Sequence, residues 1–377
     1  MTKLYFAIED GLVIVTTKQH DGQCKLDLMG HQVRCVAADA LQPELIYCGT
    51  FDSGLWRSDD GGQSWRPAGP GIHYSSIHSV AVSRAERSEG RGVVYAGTEP
   101  SAIFRSENSG ETWRACGDLS VLPSSSEWSF PPRPETHHVR WIEPDPHVPG
   151  RLFAAIEAGA LIRSYDAGKT WLDRTPDGPR DTHQLWIHPS SPNRLYSAAG
   201  DGYFESHDGG AIWRHSEEGL RHRYVWSLAV DRGDPETIIL SAASSARASH
   251  GEPAESHLYR REANSDWKEL RNAPLSPTGR HTAILAAHPN ESGWFYAVWE
   301  TKCFAQPMAV RIGRRLKLTG LGLGYSMSNA RWQLRRLASL FVIPLKIARP
   351  HMRIERTRER RHSWERKSSP CSGPTKH

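Results

Sequence analysis

The sequence predicts an all-β protein built from repeated units, and three observations predict it. An octet rich in Ser, Asp and Gly and ending in Trp recurs between residues 58 and 267. Short apolar segments of strand length precede each copy. No apolar run approaches the ~20 residues that a membrane-spanning helix needs. The hydrophobic content of 38% with 32 Gly excludes a wholly disordered chain.

The octet occurs in four good copies and one weaker copy. They are Ser58–Trp65, Ser106–Trp113, Ser164–Trp171, Ser206–Trp213 and the weaker Arg260–Trp267. The successive Trp residues are 48, 58, 42 and 54 residues apart. Each unit is therefore about the size of one four-stranded propeller blade.

The octet has the chemistry of a hairpin turn. Ser and Asp side chains bind nearby backbone amides, Gly accepts a positive φ, and Trp buries a large apolar surface between units. The pattern resembles the Asp-box (BNR) repeat, Ser-x-Asp-x-Gly-x-Thr-Trp, of sialidases, sortilin-type receptors, xyloglucanases and a photosystem assembly factor. The resemblance covers about residues 1–300 and implies a β-propeller.

Three strands are predicted before each box. Four complete sets are Val33–Ala38, Leu45–Gly49, Gly54–Ser58; Ile77–Val82, Val93–Gly97, Ala102–Ser106; Val139–Ile142, Leu152–Ile156, Ala160–Ser164; and Gln184–Ile187, Leu195–Ala199, Gly202–Ser206. A fifth unit runs from Tyr224 to Trp267 and a sixth begins at Thr282. The segment Leu4–Val15 matches a second and third strand, so its first strand is expected from the C-terminal side. Six internal units and this shared one predict seven blades.

The candidate site lies at the end of the propeller opposite the boxes, where the turns before the first strands and between the second and third strands meet. One carboxylate per unit falls in the latter turns, and four of them are candidate catalytic residues: Asp52, Glu99, Glu157 and Asp201. Asp10 and Glu300 occupy similar places. The candidate ligand-binding residues lie at or before the first strands: His137, His138, Arg140, Asp181, His183, Arg221, His222, Arg223, Tyr224, Arg280 and His281. An aromatic, Pro-rich loop at residues 128–134 leads into them.

The same residues allow two interpretations. Carboxylates facing Arg and His across a channel can bind an acidic or sugar-like ligand, with paired carboxylates as acid and base, or they can simply pair with one another. The His spacing follows the repeat, so no metal site and no cofactor is predicted. Asp60, Asp166 and Asp208 belong to box turns and are interpreted as structural.

Two classes of function remain open. The first is a propeller that binds a small-molecule or carbohydrate ligand, or a protein partner, through its channel face. The second is an enzyme similar to glycoside hydrolases that uses two of the four candidate carboxylates. The sialidase site cannot be transferred, because the Phe-Arg-Ile-Pro stretch of that family is absent. A cytoplasmic location is expected, since Glu9 and Asp10 interrupt the first apolar segment; neither a membrane nor a nucleic acid is an expected partner.

The charge distribution separates residues 1–301 from residues 302–377. The chain carries 47 Lys+Arg and 42 Asp+Glu, but residues 302–377 hold 18 of the former and 3 of the latter. They are expected to form a basic tail outside the propeller, either a natural extension or out-of-frame translation. Codon degeneracy allows residues 302–313, shifted by one base, to encode MFRSADGGPDW, a complete box at the expected place.

The frameshift hypothesis predicts a box in the alternative frame of the gene. Sequencing the gene across the codons for residues 300–313 is expected to show that the shifted frame encodes this box. If no box codons follow residue 301 in that frame, residues 302–377 are a natural basic extension.

Overall fold

The computed structural model describes residues 2–18, 21–263, 265–271, 278–279 and 281–299, together with the backbone of four strands between residues 302 and 344. Within these residues the chain folds into sheets joined by turns, and their strand pairs are antiparallel apart from one parallel pair described below. One 3-10 helix spans Ser125–Glu127 and one short α-helix, α1, spans Ala246–Ser249. No helix in this part of the chain combines the length and the apolar composition needed to cross a bilayer.

Sheets 1 to 3 follow one another along the chain, each with its strands in chain order. Sheet 1 contains β4 (Val33–Ala38), β5 (Ile46–Thr50), β6 (Leu55–Ser58) and β7 (Arg66–Pro67). Sheet 2 contains β8 (Ser76–Ser88), β9 (Arg91–Glu99), β10 (Ile103–Ser106) and β11 (Arg114–Ala115). Sheet 3 contains β12 (Val139–Pro144), β13 (Leu152–Ile156) and β14 (Ala160–Ser164).

Sheets 4 to 6 repeat this order. Sheet 4 contains β15 (Thr182–Ile187), β16 (Leu195–Ala199), β17 (Gly202–Ser206) and β18 (Arg214–His215). Sheet 5 contains β19 (Tyr224–Val230), β20 (Ile238–Ala243), β22 (His257–Arg261) and β23 (Lys268–Glu269). A side pair joins β21 (Ala254–Glu255) to β24 (Thr278–Gly279). Sheet 6 contains β25 (Ile284–Ala287), β26 (Trp294–Trp299), β27 (Lys302–Pro307) and β28 (Arg314–Arg315).

A further sheet, the shared sheet, combines both ends of the chain. It contains β1 (Thr2–Ile8), β2 (Gly11–Lys18), β3 (Asp21–Asp27), β29 (Lys317–Thr319) and β30 (Leu337–Pro344). Strand β30 pairs antiparallel with β1, and β29 pairs parallel with β3. A strand from the C-terminal side thus occupies the first position of this sheet.

The first strands of the sheets form a ring within the described residues. Each contacts the next in the order β4, β8, β12, β15, β19 and β25, and β30 contacts both β25 and β4. This arrangement is that of a β-propeller, as the repeat predicts. The number of seven blades and the domain boundary after residue 301 stay predictions, because β27 to β30 are described by their backbone alone. The frameshift hypothesis likewise stays a prediction.

The core lies in the seams between neighbouring sheets. The second strands contribute fully buried aromatic rings at equivalent places, such as Tyr47, Tyr95 and Tyr196. The indoles that end the octets pack into the same seams, with Trp113 and Trp213 exposing 7% and 6% of their surface. Stacking each sheet on the next buries the apolar face that one sheet alone would leave exposed.

The octets form turns held by one repeated set of hydrogen bonds. In the fourth copy, the Ser206 hydroxyl donates to Asp208 Oδ1 at 2.8 Å and accepts from the Gly210 amide at 2.9 Å. The Asp208 carboxylate also accepts from the amides of Ala211 and Ile212. The first and third copies have equivalent bonds, and Asn replaces Asp in the second. The prediction that the box aspartates are structural agrees with this geometry.

We predict that Ser206→Ala destabilises the protein by about 1–3 kcal/mol, because it leaves the buried Gly210 amide without its acceptor. Chemical denaturation monitored by Trp fluorescence measures the change. Ile212→Ala is the matched control, since this side chain lies in the same turn and is 64% exposed. Equal stability of the two variants would contradict a structural role for the serine.

Candidate functional site

A β-bulge occurs near the start of five successive first strands. The register shifts between Val33 and Cys35, and at the equivalent places in β8, β12, β15 and β19. The residues at the shifts are Arg34, His78, Arg140, His183 and Trp226. Bulges bend a strand and redirect a side chain, and they are common next to functional sites. The repeat therefore places five large polar or aromatic side chains at one end of the ring.

The Glu99 cluster consists of Glu99, His78, His138 and Arg133. Arg133 donates two hydrogen bonds to the Glu99 carboxylate, from Nε to Oε1 at 3.1 Å and from a terminal nitrogen to Oε2 at 2.6 Å. His78 Nε2 lies 2.8 Å from the same Oε2, and His138 Nδ1 lies 3.8 Å from it. The two imidazole rings pack with centroids 4.1 Å apart. Glu99 is thus held by one cation and two histidines.

The cluster continues from His138 to the next carboxylate. His138 Nε2 lies 2.6 Å from Glu157 Oε2, so the imidazole stands between Glu99 and Glu157. Arg140 Nε lies 3.8 Å from the same Glu157 Oε2. His138 is 3% exposed, which means that this chain of charges is shielded from bulk water.

The channel mouth is the set Arg140, Glu157, His183, Tyr224 and Trp226. The Arg140 guanidinium lies 5.2 Å from the Trp226 ring centroid, although β12 and β19 belong to sheets that are not neighbours. The His183 ring lies 4.7 Å from the same indole. Tyr224 Oη lies 3.3 Å from His183 Nε2. Side chains of three sheets therefore meet inside this end of the ring.

The surroundings of the carboxyl groups keep them ionised. Burial raises the pKa of Glu99, but hydrogen bonds from His78 and Arg133 and the charge of Arg133 outweigh it and lower this pKa to about 2. Burial also opposes ionisation of Glu157, yet the Arg140 charge and the hydrogen bond with His138 hold its pKa well below the usual range. Burial lowers the pKa of His78 to about 4 despite the nearby Glu99 carboxylate. His78 is therefore a neutral imidazole beside an ionised carboxylate at neutral pH.

His183 differs from His78 in its electrostatic surroundings. Burial lowers its pKa, but Asp181, Glu157 and the Val225 carbonyl oxygen, which lies 2.8 Å from Nδ1, raise it overall. Asp181 in turn accepts a hydrogen bond from the Ala158 amide at 2.8 Å. The His183 imidazole is thus held in one orientation at the channel mouth.

The structure brings together only part of the predicted site. Among the candidates, Glu99, Glu157, His138, Arg140, Asp181, His183 and Tyr224 lie in one connected network. Asp201 accepts hydrogen bonds from the Arg180 and Asp181 amides and so supports the turn before β15. Asp52 is exposed and bonds the Ser53 hydroxyl. The catalytic role proposed for these carboxylates stays a prediction.

The remaining candidates have different surroundings. His137 packs against Trp128 with ring centroids 5.5 Å apart, and His222 stacks on His257. Arg221 and Arg223 are exposed, and His281 is half-buried. Arg280, like Glu300, lies outside the described residues.

The sequence interpretation missed Arg34, His78 and Trp226. Each occupies the bulge position that Arg140 and His183 occupy in other units, so aligning the first strands of the repeats would have identified them. It also did not single out Arg133 within the Pro-rich loop. That loop does reach the site, because Phe130 lies 4.9 Å from the His138 ring.

Three groups of His and carboxylate side chains among the described residues bring their ligand atoms within 4.8 Å of one another. They are His78, Glu99 and His138; Glu157, Asp181 and His183; and His222, Glu255 and His257. In the first group Arg133 already neutralises the carboxylate, and in the second Arg140 lies close to Glu157. A cation beside these arginines is electrostatically unfavourable. In the third group, the ion-pair partners of the carboxylate within the described part of the chain are the two histidines themselves.

Comparisons with known proteins show the fold and do not show a family. No protein-family model and no curated protein matches the chain. Among solved structures, an ancestral GH74 enzyme matches with a TM-score of 0.57 and 14% identity over 83% of this chain and 39% of that one. YCF48 bound to D1 peptide matches with a TM-score of 0.52 and 14% identity over 76% and 82%. The chain spans well under half the length of the GH74 protein, and it has a β-propeller fold.

The state of His78 predicts a pH dependence of stability. The folded-state pKa of His78, about 4, lies below the unfolded value of ~6.5. Between these two pH values the imidazole is protonated in the unfolded state and neutral in the folded state. The free energy of unfolding therefore falls as the pH falls from 6.5 towards 4. Between pH 7 and pH 5 this residue is expected to remove ~2 kcal/mol of unfolding free energy. Glu99, His138 and Arg34 are the charged or titratable groups facing it.

Urea denaturation at both pH values measures this effect. His78→Gln is expected to show a smaller loss than the unmodified protein, while His207→Gln, an exposed residue of a box turn, should not. Identical losses in all three proteins would show that His78 is not a buried neutral imidazole.

Proposed function

We propose that the channel mouth binds an anionic group, carried by a small-molecule or carbohydrate ligand or by a protein partner. The observation that carries this proposal is the position of Arg140. Its guanidinium stacks on Trp226, and its buried Nε, 3.8 Å from Glu157 Oε2, makes no hydrogen bond within the described residues. A buried donor without an acceptor is costly unless a ligand supplies the acceptor.

The charges and rings around Arg140 fit such a ligand. Arg34 and Arg133 both stack on the Phe51 ring, at 4.9 Å and 5.3 Å from its centroid. An arginine stacked on an aromatic ring can still direct its N–H donors to a carboxylate, as Arg133 does to Glu99. Trp226 and Tyr224 add flat surfaces that suit sugar rings or peptide side chains.

The ionisation of the carboxyl groups supports binding over hydrolysis. Glycoside hydrolysis by two carboxyl groups requires that one of them keep its proton near neutral pH and donate it to the leaving group. Glu99 and Glu157 both have lowered pKa values because each is bonded to histidine and close to arginine. Carboxyl groups that are ionised at neutral pH are better suited to orienting the cationic side chains than to donating a proton.

The experiment compares an acidic with a neutral probe. We expect a labelled hexa-aspartate peptide to bind the full chain with an affinity that decreases with salt, and a neutral xyloglucan oligosaccharide to bind more weakly. Arg140→Gln should weaken the peptide about 10- to 100-fold, the value of a charged hydrogen bond. Fluorescence anisotropy for the peptide and calorimetry for the oligosaccharide measure these affinities.

Arg114→Gln is the matched control. This arginine is 60% exposed and pairs with Glu107 in a box turn, so its loss should leave the affinity unchanged. Equal weakening by both substitutions, or no peptide binding at all, would contradict an anion site at Arg140. Turnover of aryl glycosides that is lost in both Glu99→Gln and Glu157→Gln would instead support the hydrolase.

A further inference from the structure

A second polar cluster lies on sheet 5, formed by His222, Glu255 and His257. His257 Nε2 lies 3.0 Å and His222 Nε2 lies 3.4 Å from the same atom, Glu255 Oε1. The two imidazole rings are stacked, with centroids 3.6 Å apart and planes 6° from parallel. Two ring nitrogens and one carboxylate oxygen thus lie close together, and one ring has to turn out of the stack for both nitrogens to face a single ion.

The strand geometry explains why these residues meet. Glu255, His257 and Tyr259 alternate along β21 and β22, so they project from one face of the sheet. Glu269 lies in β23, where it pairs in register with Tyr259. His222 comes from the turn before β19 and covers His257. The cluster therefore combines three segments that are separate in the sequence, which is why residue spacing did not indicate it.

Hydrogen bonds hold the outer atom of each of the three side chains. His222 Nδ1 lies 2.5 Å from the Tyr259 hydroxyl, and His257 Nδ1 lies 2.8 Å from Glu269 Oε1. Glu255 Oε2 accepts from the Ser244 amide at 2.8 Å and from its hydroxyl at 2.5 Å. Only the two Nε2 atoms and Oε1 remain to face one another. Metal-binding histidines are commonly held in this way through their second nitrogen.

We propose that His222, Glu255 and His257 bind a zinc ion. Two imidazoles and one carboxylate are a known donor set for zinc, with a fourth position left for water. Tetrahedral ligands at the usual zinc distances lie ~3.3 Å from one another, and Glu255 Oε1 lies 3.0 Å and 3.4 Å from the two nitrogens. The side chains are 19%, 24% and 16% exposed in chain order, so an ion can reach them from solvent.

The ion would immobilise a segment of the chain that contacts the channel mouth. Residues 244–256 connect β20 to β22 and contain α1 and β21. His250, in the same segment, lies 5.0 Å from the Trp226 ring and 3.2 Å from the Tyr224 hydroxyl. Zinc bound by Glu255 would hold the C-terminal end of this segment against sheet 5. His250, in the middle of the segment, contacts the channel mouth.

Zinc binding is measured on the untagged, full-length chain by calorimetry, and its coordination by the absorption of bound Co²⁺. We expect the protein to bind one zinc ion more than the double variant His222→Gln/His257→Gln binds. His207→Gln should bind as the unmodified protein does, because this exposed histidine lies in a box turn. The Tm should rise on addition of zinc in the unmodified protein and not in the double variant.

Two further variants keep the test decisive if the double variant folds poorly. Glu269→Gln removes the bond to His257 Nδ1 and should weaken zinc about 10- to 100-fold. His257→Cys supplies a thiolate ligand, so it should retain zinc and change the Co²⁺ absorption spectrum. If the unmodified protein binds no zinc, or if none of these variants alters its binding, then a proton shared between the histidines and Glu255 holds the cluster together, and the proposal is wrong.

Discussion

The site depends on one feature of the backbone, the bulge near the start of five first strands. Without the extra residue, strict alternation would place the Arg140 side chain on one face of sheet 3, opposite to those of its neighbours in β12. The carbonyl group just before the bulge is held by the preceding sheet in several repeats. Val139 accepts from Ser79 Oγ at 2.7 Å, and Val225 accepts from His183 Nδ1 at 2.8 Å. Contact between sheets thus fixes the strand where the functional side chains emerge.

Close approach of the backbone makes these contacts possible. A Cβ atom at Gly97 would lie 2.6 Å from Val139 Cβ, and one at Gly49 would lie 2.6 Å from Ile77 Cγ2. Real Cβ contacts are not this short, so a side chain at either position would push the next first strand away. The glycines of the second strands therefore set the distance between neighbouring sheets at the mouth. That distance in turn allows Arg140 to contact Trp226 across the ring.

Much of the fold was predictable because the repeat makes each strand visible several times. The predicted strands Val33–Ala38 and Leu195–Ala199 agree with the structure to the residue. The hairpin of β8 and β9 was predicted too short, since residues 84–91 are polar and lack an apolar alternation. There Asp39 accepts from the Arg87 side chain and the Gly92 amide and extends the pairing. Such contacts join residues that are distant in sequence, so no local sequence pattern predicts them.

The two ends of the ring also differ in how far the repeat constrains them. The box turns use one hydrogen-bond set in every good copy, so substitutions there affect stability before anything else. At the mouth, the repeats fill the same position with Arg, His or Trp, and insertions such as 128–134 and 244–256 cover it. Arg133 and His250 come from these insertions. A repeated backbone with varied side chains and added loops is how a propeller acquires a specific site, because the scaffold stays rigid while the recognition surface changes.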